Sequence, residues 1–214
     1  VAIDNYKQAI NIKPDYAEAY NNMGNALKNK GELDAAIDNY KQAINIKSDY
    51  ADAHSNMGLA LQKKGDLDAA IDNFKKALKI DPNYPEVFFN IGNVLQQKGD
   101  LDSAIDSYKT TLKVKPDSYD AYNNMGNVLK HKGELDAAIE SYKQALKIKP
   151  DFELAYAQKL YSQASICDWD AIEQDREAIP ELGTSCQYVE PFVMLSLEDS
   201  PERHRQRSEL YAKK

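Results

Sequence analysis

Apolar residues recur along the chain at helical spacing. Tyr20, Met23 and Leu27 stand at i, i+3 and i+7, and Leu33, Ala36, Ile37, Tyr40, Ala43 and Ile44 line one face of a second helix. The pattern returns every 34 residues. Gly24, Gly58, Gly92 and Gly126 form one column of that register, and Gly31, Gly65, Gly99 and Gly133 a second, so eight of the nine glycines obey it. Ala36, Ala70, Ala104 and Ala138 form a third column, with Ala2 one period earlier; Tyr40, Phe74, Tyr108 and Tyr142 form a fourth, preceded by Tyr6. Pro14, Pro82, Pro116 and Pro150 mark the joints, with Ser48 standing in once.

Each column has a physical role. Gly24 and its equivalents let a second helix approach where a side chain would collide, and Gly31 and its equivalents end the first helix, because glycine takes the left-handed cap without strain. Glu32 or Asp34 is placed to cap the next helix, whose acids (Asp34, Asp38) lie early and whose base (Lys41) lies later, as the helix dipole prefers. Proline then stops that helix. The predicted unit is a helix–turn–helix that cannot bury its apolar face alone, so neighbours must stack. First helices are expected to start near Ala17, Ala51, Pro85 and Tyr119. Residues 1–13 read as the second helix of a truncated unit and 14–150 as four complete units.

This pattern resembles the tetratricopeptide repeat, a 34-residue unit with the same small-residue, aromatic and proline columns. The resemblance implies an all-α fold: a right-handed α-solenoid whose first helices line a concave face.

After Pro150 the register continues with substitutions. Lys159 and Leu160 replace the Met-Gly pair, and Cys167-Asp168-Trp169-Asp170 takes the place of Gly31-Glu32-Leu33-Asp34. Residues 151–180 read as a degenerate fifth unit, with helices over 153–166 and 169–179, that caps the array. Residues 181–189 read as a loop, Pro191 to Leu197 as a short helical run, and Ser200-Pro201-Glu202 as the start of a last helix to about Tyr211. Residues 181–214 are thus a loop and short C-terminal helices, where a further domain can begin. Cys167-Asp168-Trp169, Glu190-Pro191-Phe192-Val193-Met194-Leu195, Asp199-Ser200-Pro201 and Tyr211-Ala212 are similar to the junction between repeats and catalytic region in bacterial relatives of protein O-linked N-acetylglucosamine transferases. That resemblance implies a catalytic region beyond Lys214. The histidine some family members carry near this junction is not evident where Phe192 and Val193 stand.

Composition removes several function classes. With 34 acids against 27 bases among 214 residues, a formal charge of -7 argues against nucleic-acid binding. No apolar run approaches the roughly 18 residues of a membrane span. Cys167 and Cys186 cannot make a disulfide framework, and His54, His131 and His204 offer no metal-ligand spacing. No cofactor, metal or catalytic constellation is expected within the chain, so it reads as a non-enzyme, with the cytoplasm as default location. Arg203, Arg205 and Arg207 read as a solvated helix face, with a phosphate or nucleic-acid site as the alternative. The chain opens at Val1 inside a helical pattern and reads as an excerpt of a longer protein.

The candidate binding residues lie on the first helices. One column is Asn22, Asn56, Asn90 and Asn124; a second is Asn25, Leu59, Asn93 and Asn127. Asparagine is a mediocre helix former, so repeating it mid-helix opposes stability by a few tenths of a kcal/mol each time, about 0.5 at most. Its amide offers donors and an acceptor that suit a peptide backbone of any sequence. In the transferases named above an asparagine ladder at the position of Asn22 holds extended chains, so the resemblance implies a peptide groove there. The other reading is repeat architecture, with asparagines bonding within or between units. Phe89 and Leu59 are candidate apolar anchors. Glu18, Asp52, Glu86 and Asp120 mark one edge, and Lys28, Lys63, Lys130 and His131 the other. Acids therefore occupy the edge where chaperone-binding members of the repeat family grip a C-terminal carboxylate, which argues against such a clamp.

The functional expectation is a protein-interaction scaffold that binds extended protein or peptide segments, as the substrate-recruiting part of a larger protein. The alternatives are part of a glycosyltransferase of the type named, and a self-association module. The oligomeric state is not legible.

Overall fold

The computed structural model describes residues 2–174 and 201–211, and among these it is helical with no strand. The helices are α1 (Ala2–Ile12), α2 (Ala17–Asn29), α3 (Leu33–Ile46), α4 (Ala51–Lys64), α5 (Leu67–Ile80), α6 (Pro85–Lys98), α7 (Leu101–Val114), α8 (Tyr119–His131), α9 (Leu135–Ile148), α10 (Glu153–Ser165), α11 (Trp169–Gln174) and α12 (Pro201–Tyr211). This is an all-α fold of the α-solenoid class. First helices begin at Ala17, Ala51, Pro85 and Tyr119, where the 34-residue register puts them. The loop over 181–189, the run Pro191–Leu197, the end of the fifth unit's second helix (175–179), Cys186, and the junction residues Glu190 to Leu195, Asp199, Ser200 and Ala212 lie outside the described residues.

The chain divides into two compact units, residues 1–110 and 111–214. In the first, α2 packs on α3, α3 on α4, α4 on α5 and α5 on α6, while α2 also touches α4 and α4 touches α6. Its core holds Leu27, Ile37, Tyr40, Leu61, Phe74, Ala77, Val87 and Val94. In the second, α8 packs on α9 and α9 on α10 around Ala121, Leu129, Tyr142 and Leu160.

The glycine and aromatic columns meet. A methyl group added at Gly58 would lie 2.6 Å from Phe74 Cε1, and Gly24, Gly92 and Gly126 stand equally close to Tyr40, Tyr108 and Tyr142. All four rings are fully buried, each worth roughly 1.5–3 kcal/mol of apolar transfer. The fifth unit breaks both halves of this pair together: Leu160 occupies the glycine column, and Arg176 the ring column.

The second glycine column ends helices in a Schellman motif. Gly31 has φ of +82°, Glu32 N–H donates to Leu27 C=O at 3.0 Å, and Gly31 N–H to Lys28 C=O at 3.1 Å. Cys167 keeps the motif without glycine. Its φ is +58°, with Asp168 N–H on Gln163 C=O at 2.9 Å and Cys167 N–H on Ala164 C=O at 3.1 Å. Its thiol is exposed, and Trp169 is 55% exposed where earlier units carry a half-buried leucine.

Capping of the second helices departs from the expectation. Glu32 sits at the N-cap of α3 with no side-chain cap bond, and Asp34 pairs instead with Lys64. Side-chain length alone does not decide this, because Asp66 at the N-cap of α5 makes no side-chain cap bond either. At the same position Asp100 Oδ1 accepts from Ser103 N–H and Asp168 Oδ1 from Ala171 N–H, each at 3.3 Å. Lys98–Asp68 repeats the Lys64–Asp34 pair one period on. Both pairs are exposed, so water screens them.

His54 stands in the column of Tyr20, Phe88, Tyr122 and Tyr156 and is buried, with Nδ1 3.4 Å from Asn73 Oδ1. Burial holds its pKa below the ordinary value, and Lys76 adds to this; hydrogen bonds to Asn73 and to the Ser48 backbone oppose it. A folded pKa below the unfolded value, about 6.5, means that the neutral ring favours folding. Stability is full above the unfolded pKa and declines as pH falls through it toward the folded one. His54→Phe should therefore lose less melting temperature than the parent between about pH 7.5 and about pH 5.5. Equal losses by circular dichroism would contradict this.

Candidate functional site

In the first unit the asparagine column occupies three neighbouring first helices: Asn22 on α2, Asn56 on α4 and Asn90 on α6. Asn22 is exposed, and Asn56 and Asn90 are half-buried. Asn56 Nδ2 donates to Asn21 Oδ1 at 3.0 Å, and Asn21 Nδ2 lies 3.5 Å from Asn22 Oδ1. Asn21, which is buried, thus links the first two members of the column. Asn22 Nδ2, Asn56 Oδ1 and the Asn90 amide make no hydrogen bond to a described residue. The row presents donors and an acceptor on successive helices. In the second unit Asn124 is half-buried and its Oδ1 accepts from Asn123 Nδ2 at 3.2 Å.

The second column has a partner inside the fold. Tyr40 O–H donates to Asn25 Oδ1 at 2.8 Å, Tyr108 to Asn93 at 2.8 Å, and Tyr142 to Asn127 at 2.9 Å. Where the ring is Phe74 and has no hydroxyl, the column carries Leu59, packed on the core. The two columns change together because a buried hydroxyl needs an acceptor, and an acceptor facing a bare ring would have none. Burial pushes the phenols of Tyr40 and Tyr142 up. Asn25, Asn93 and Asn127, candidate ligand contacts by sequence, thus each have the amide oxygen engaged within the fold, and the joint change to Leu59 and Phe74 carries the same signal in the sequence.

A pair of variants checks that role. Asn25→Leu alone leaves the buried Tyr40 hydroxyl without its acceptor and should lower stability by about 1–3 kcal/mol. Asn25→Leu with Tyr40→Phe recreates the Leu59–Phe74 arrangement and should recover most of that loss in urea unfolding. Additive losses would contradict the assignment.

Phe89 is half-buried, its ring 5.8 Å from that of Tyr108 at an interplanar angle of 54°. It packs within its own repeat and offers only part of its surface to a ligand. The acidic edge is also engaged: Tyr84 O–H donates to Asp52 Oδ1 at 2.8 Å, tying α6's entry to α4. Burial and then this bond push the Tyr84 pKa up to about 12. On the basic edge Lys28 is half-buried and Lys63 exposed; in the second unit Lys130 donates to Gln158 Oε1 at 2.6 Å, and His131 is exposed. A cavity of about 650 Å³ opens between α1, α2 and α3, lined by Ile3, Met23, Leu27 and Ala35 among others and by none of the candidate residues. Among the described residues no cluster of three His, Cys, Asp or Glu can hold a metal, and no helix is long and apolar enough to cross a membrane.

Known proteins carry the same repeat. The TPR repeat family matches residues 2–31, 24–65, 63–99 and 92–133, and the Tetratricopeptide repeat family matches 119–152. No curated protein sequence matches significantly. Among solved structures, a crystal structure of MamA is 27% identical with a TM-score of 0.64, over 69% of this chain and 86% of that one. MamA from residue 41 to its end, from Desulfovibrio magneticus RS-1, is 21% identical with a TM-score of 0.69, over 78% and 94%. YrrB, described as a TPR protein with an unusual peptide-binding site, is 20% identical with a TM-score of 0.64, over 96% and 98%. Repeat matches running from residue 2 to residue 152, on helices packed through the glycine and aromatic columns, place the chain in the tetratricopeptide repeat family.

Proposed function

We propose that the chain is a protein-interaction scaffold, and that the first-helix face of its first unit holds extended peptide segments by their backbone. The observation that carries this reading is the row Asn22, Asn56 and Asn90 on three neighbouring helices, in which Asn22 Nδ2, Asn56 Oδ1 and the Asn90 amide make no hydrogen bond to a described residue. Neighbouring helices pack about 8–10 Å apart, and an extended chain advances about 3.3 Å per residue. A strand crossing the helices therefore meets one asparagine every three residues or so. Recognition through amides and backbone is tolerant of sequence. The peptide-binding site in the description of YrrB supports the class of ligand, not the position of the site.

The test compares a peptide array probed with the parent chain and with Asn22→Ala/Asn56→Ala/Asn90→Ala. Loss of signal across peptides of unrelated sequence is the expected result; an unchanged array would assign the row to repeat architecture. A second reading, delivery of substrates to a glycosyltransferase region, rests on the tail residues similar to the transferase junction. Sequencing the parent gene past Lys214 tests it, and an unrelated domain there would remove it.

A further inference from the structure

We propose that an acidic residue of the extended ligand sits between Lys28 and Lys63, two turns further along α2 and α4 than the asparagine row. This inference rests on the peptide-binding reading above and adds a side-chain preference to it. The register of the two helices is set by Asn56 Nδ2 on Asn21 Oδ1 at 3.0 Å. Helices α2, α3 and α4 follow one another as packed hairpins, so α2 and α4 run in the same direction. Seven residues on, at two helical turns, the same register brings Lys28 beside Lys63.

Neither lysine makes an ion pair or hydrogen bond with a described residue, although Lys28 is half-buried. Burial, with the Lys63 charge second, holds the Lys28 pKa below its ordinary value. The equivalent lysine of the second unit is satisfied internally: Lys130 has Gln158 Oε1 at 2.6 Å, and its Nζ stands 5.2 Å from the centre of the Tyr161 ring. The acids of these two helices do not reach the pair. Glu18 lies ten residues before Lys28, about 15 Å along the axis, and Asp52 is held by Tyr84. Two cations with one half-buried and no counter-charge favour a carboxylate. A polyanion meets a chain of net charge -7, which opposes it at long range.

The experiment uses the full chain and a twelve-residue Ser/Ala peptide capped at both ends, with a single Glu, Gln or phosphoserine walked along it. Binding is read by fluorescence anisotropy for the parent and for Lys28→Gln/Lys63→Gln. Glu should tighten binding over Gln by roughly fivefold within one narrow window of positions, the gain shrinking with added salt. The lysine variant should lose that gain and bind the Gln peptide as the parent does, which shows its fold intact. A gain that survives in the variant, or is equal at every position, overturns the inference. A gain from phosphoserine without one from Glu overturns the choice of a carboxylate. If the Gln peptide ignores Asn22→Ala/Asn56→Ala/Asn90→Ala, the backbone reading fails while the Glu comparison still judges the lysines. If no peptide binds, both fail.

Discussion

Gly58→Ala is expected to destabilise the first unit by about 1–3 kcal/mol, even though alanine is the better helix former. Two effects oppose each other. Alanine in a helix interior gains roughly 1 kcal/mol over glycine. The added methyl group would meet Phe74 Cε1 at 2.6 Å, Cδ1 at 2.8 Å and Cζ at 2.9 Å. The ring has no exposed surface, so it cannot swing aside without moving α5 against α4, and overpacking wins. Gly65→Ala is the control. Nothing lies within 4 Å of where its methyl group would stand, but its φ is +89°, so its effect comes from left-handed backbone alone, about 1 kcal/mol. Gly58→Ala combined with Phe74→Leu should regain part of the loss, because the smaller side chain leaves room for the added methyl group. Urea unfolding of the three variants measures this; a Gly58→Ala protein as stable as the parent would show that the ring does not hold the helices at this distance.

The legible part of the fold was the part carried by steric columns. A glycine facing a ring and a glycine in a left-handed cap each admit few substitutes, so their period was visible and the helix starts followed. Less was legible where several residue types can do one job. Glu32 and Asp100 hold the same position, yet only Asp100 caps its helix through its side chain. The asparagine columns looked alike because both repeat an amide at one register. Only hydrogen bonds separate them, with Tyr40, Tyr108 and Tyr142 occupying the Oδ1 atoms of Asn25, Asn93 and Asn127. Lys28 stands in the sequence simply as a charge on one edge, and its half-burial depends on neighbouring helices that no local pattern specifies.

The larger functional effect is expected from Asn22→Ala/Asn56→Ala/Asn90→Ala. A hydrogen bond contributes about 0.5–1.5 kcal/mol net, so losing one from each of three asparagines should weaken a bound segment by about 3 kcal/mol. That is roughly a hundredfold in Kd. Stability should change less, since Asn22 and Asn90 are not built into the core; Asn56→Ala removes the bond to Asn21 and is the substitution to watch. Equal melting temperatures with unequal affinity would separate binding from folding.

The most direct test replaces the backbone amides of a bound peptide, one at a time, with N-methyl amides that cannot donate, and measures affinity for both the parent and the triple variant. The account predicts that methylation weakens binding to the parent at the residues facing Asn56 and Asn90, whose amide oxygens are open to a peptide N–H, and has little effect on the residual binding of the variant. Equal sensitivity in the two proteins, or none in either, would contradict backbone recognition by Asn22, Asn56 and Asn90.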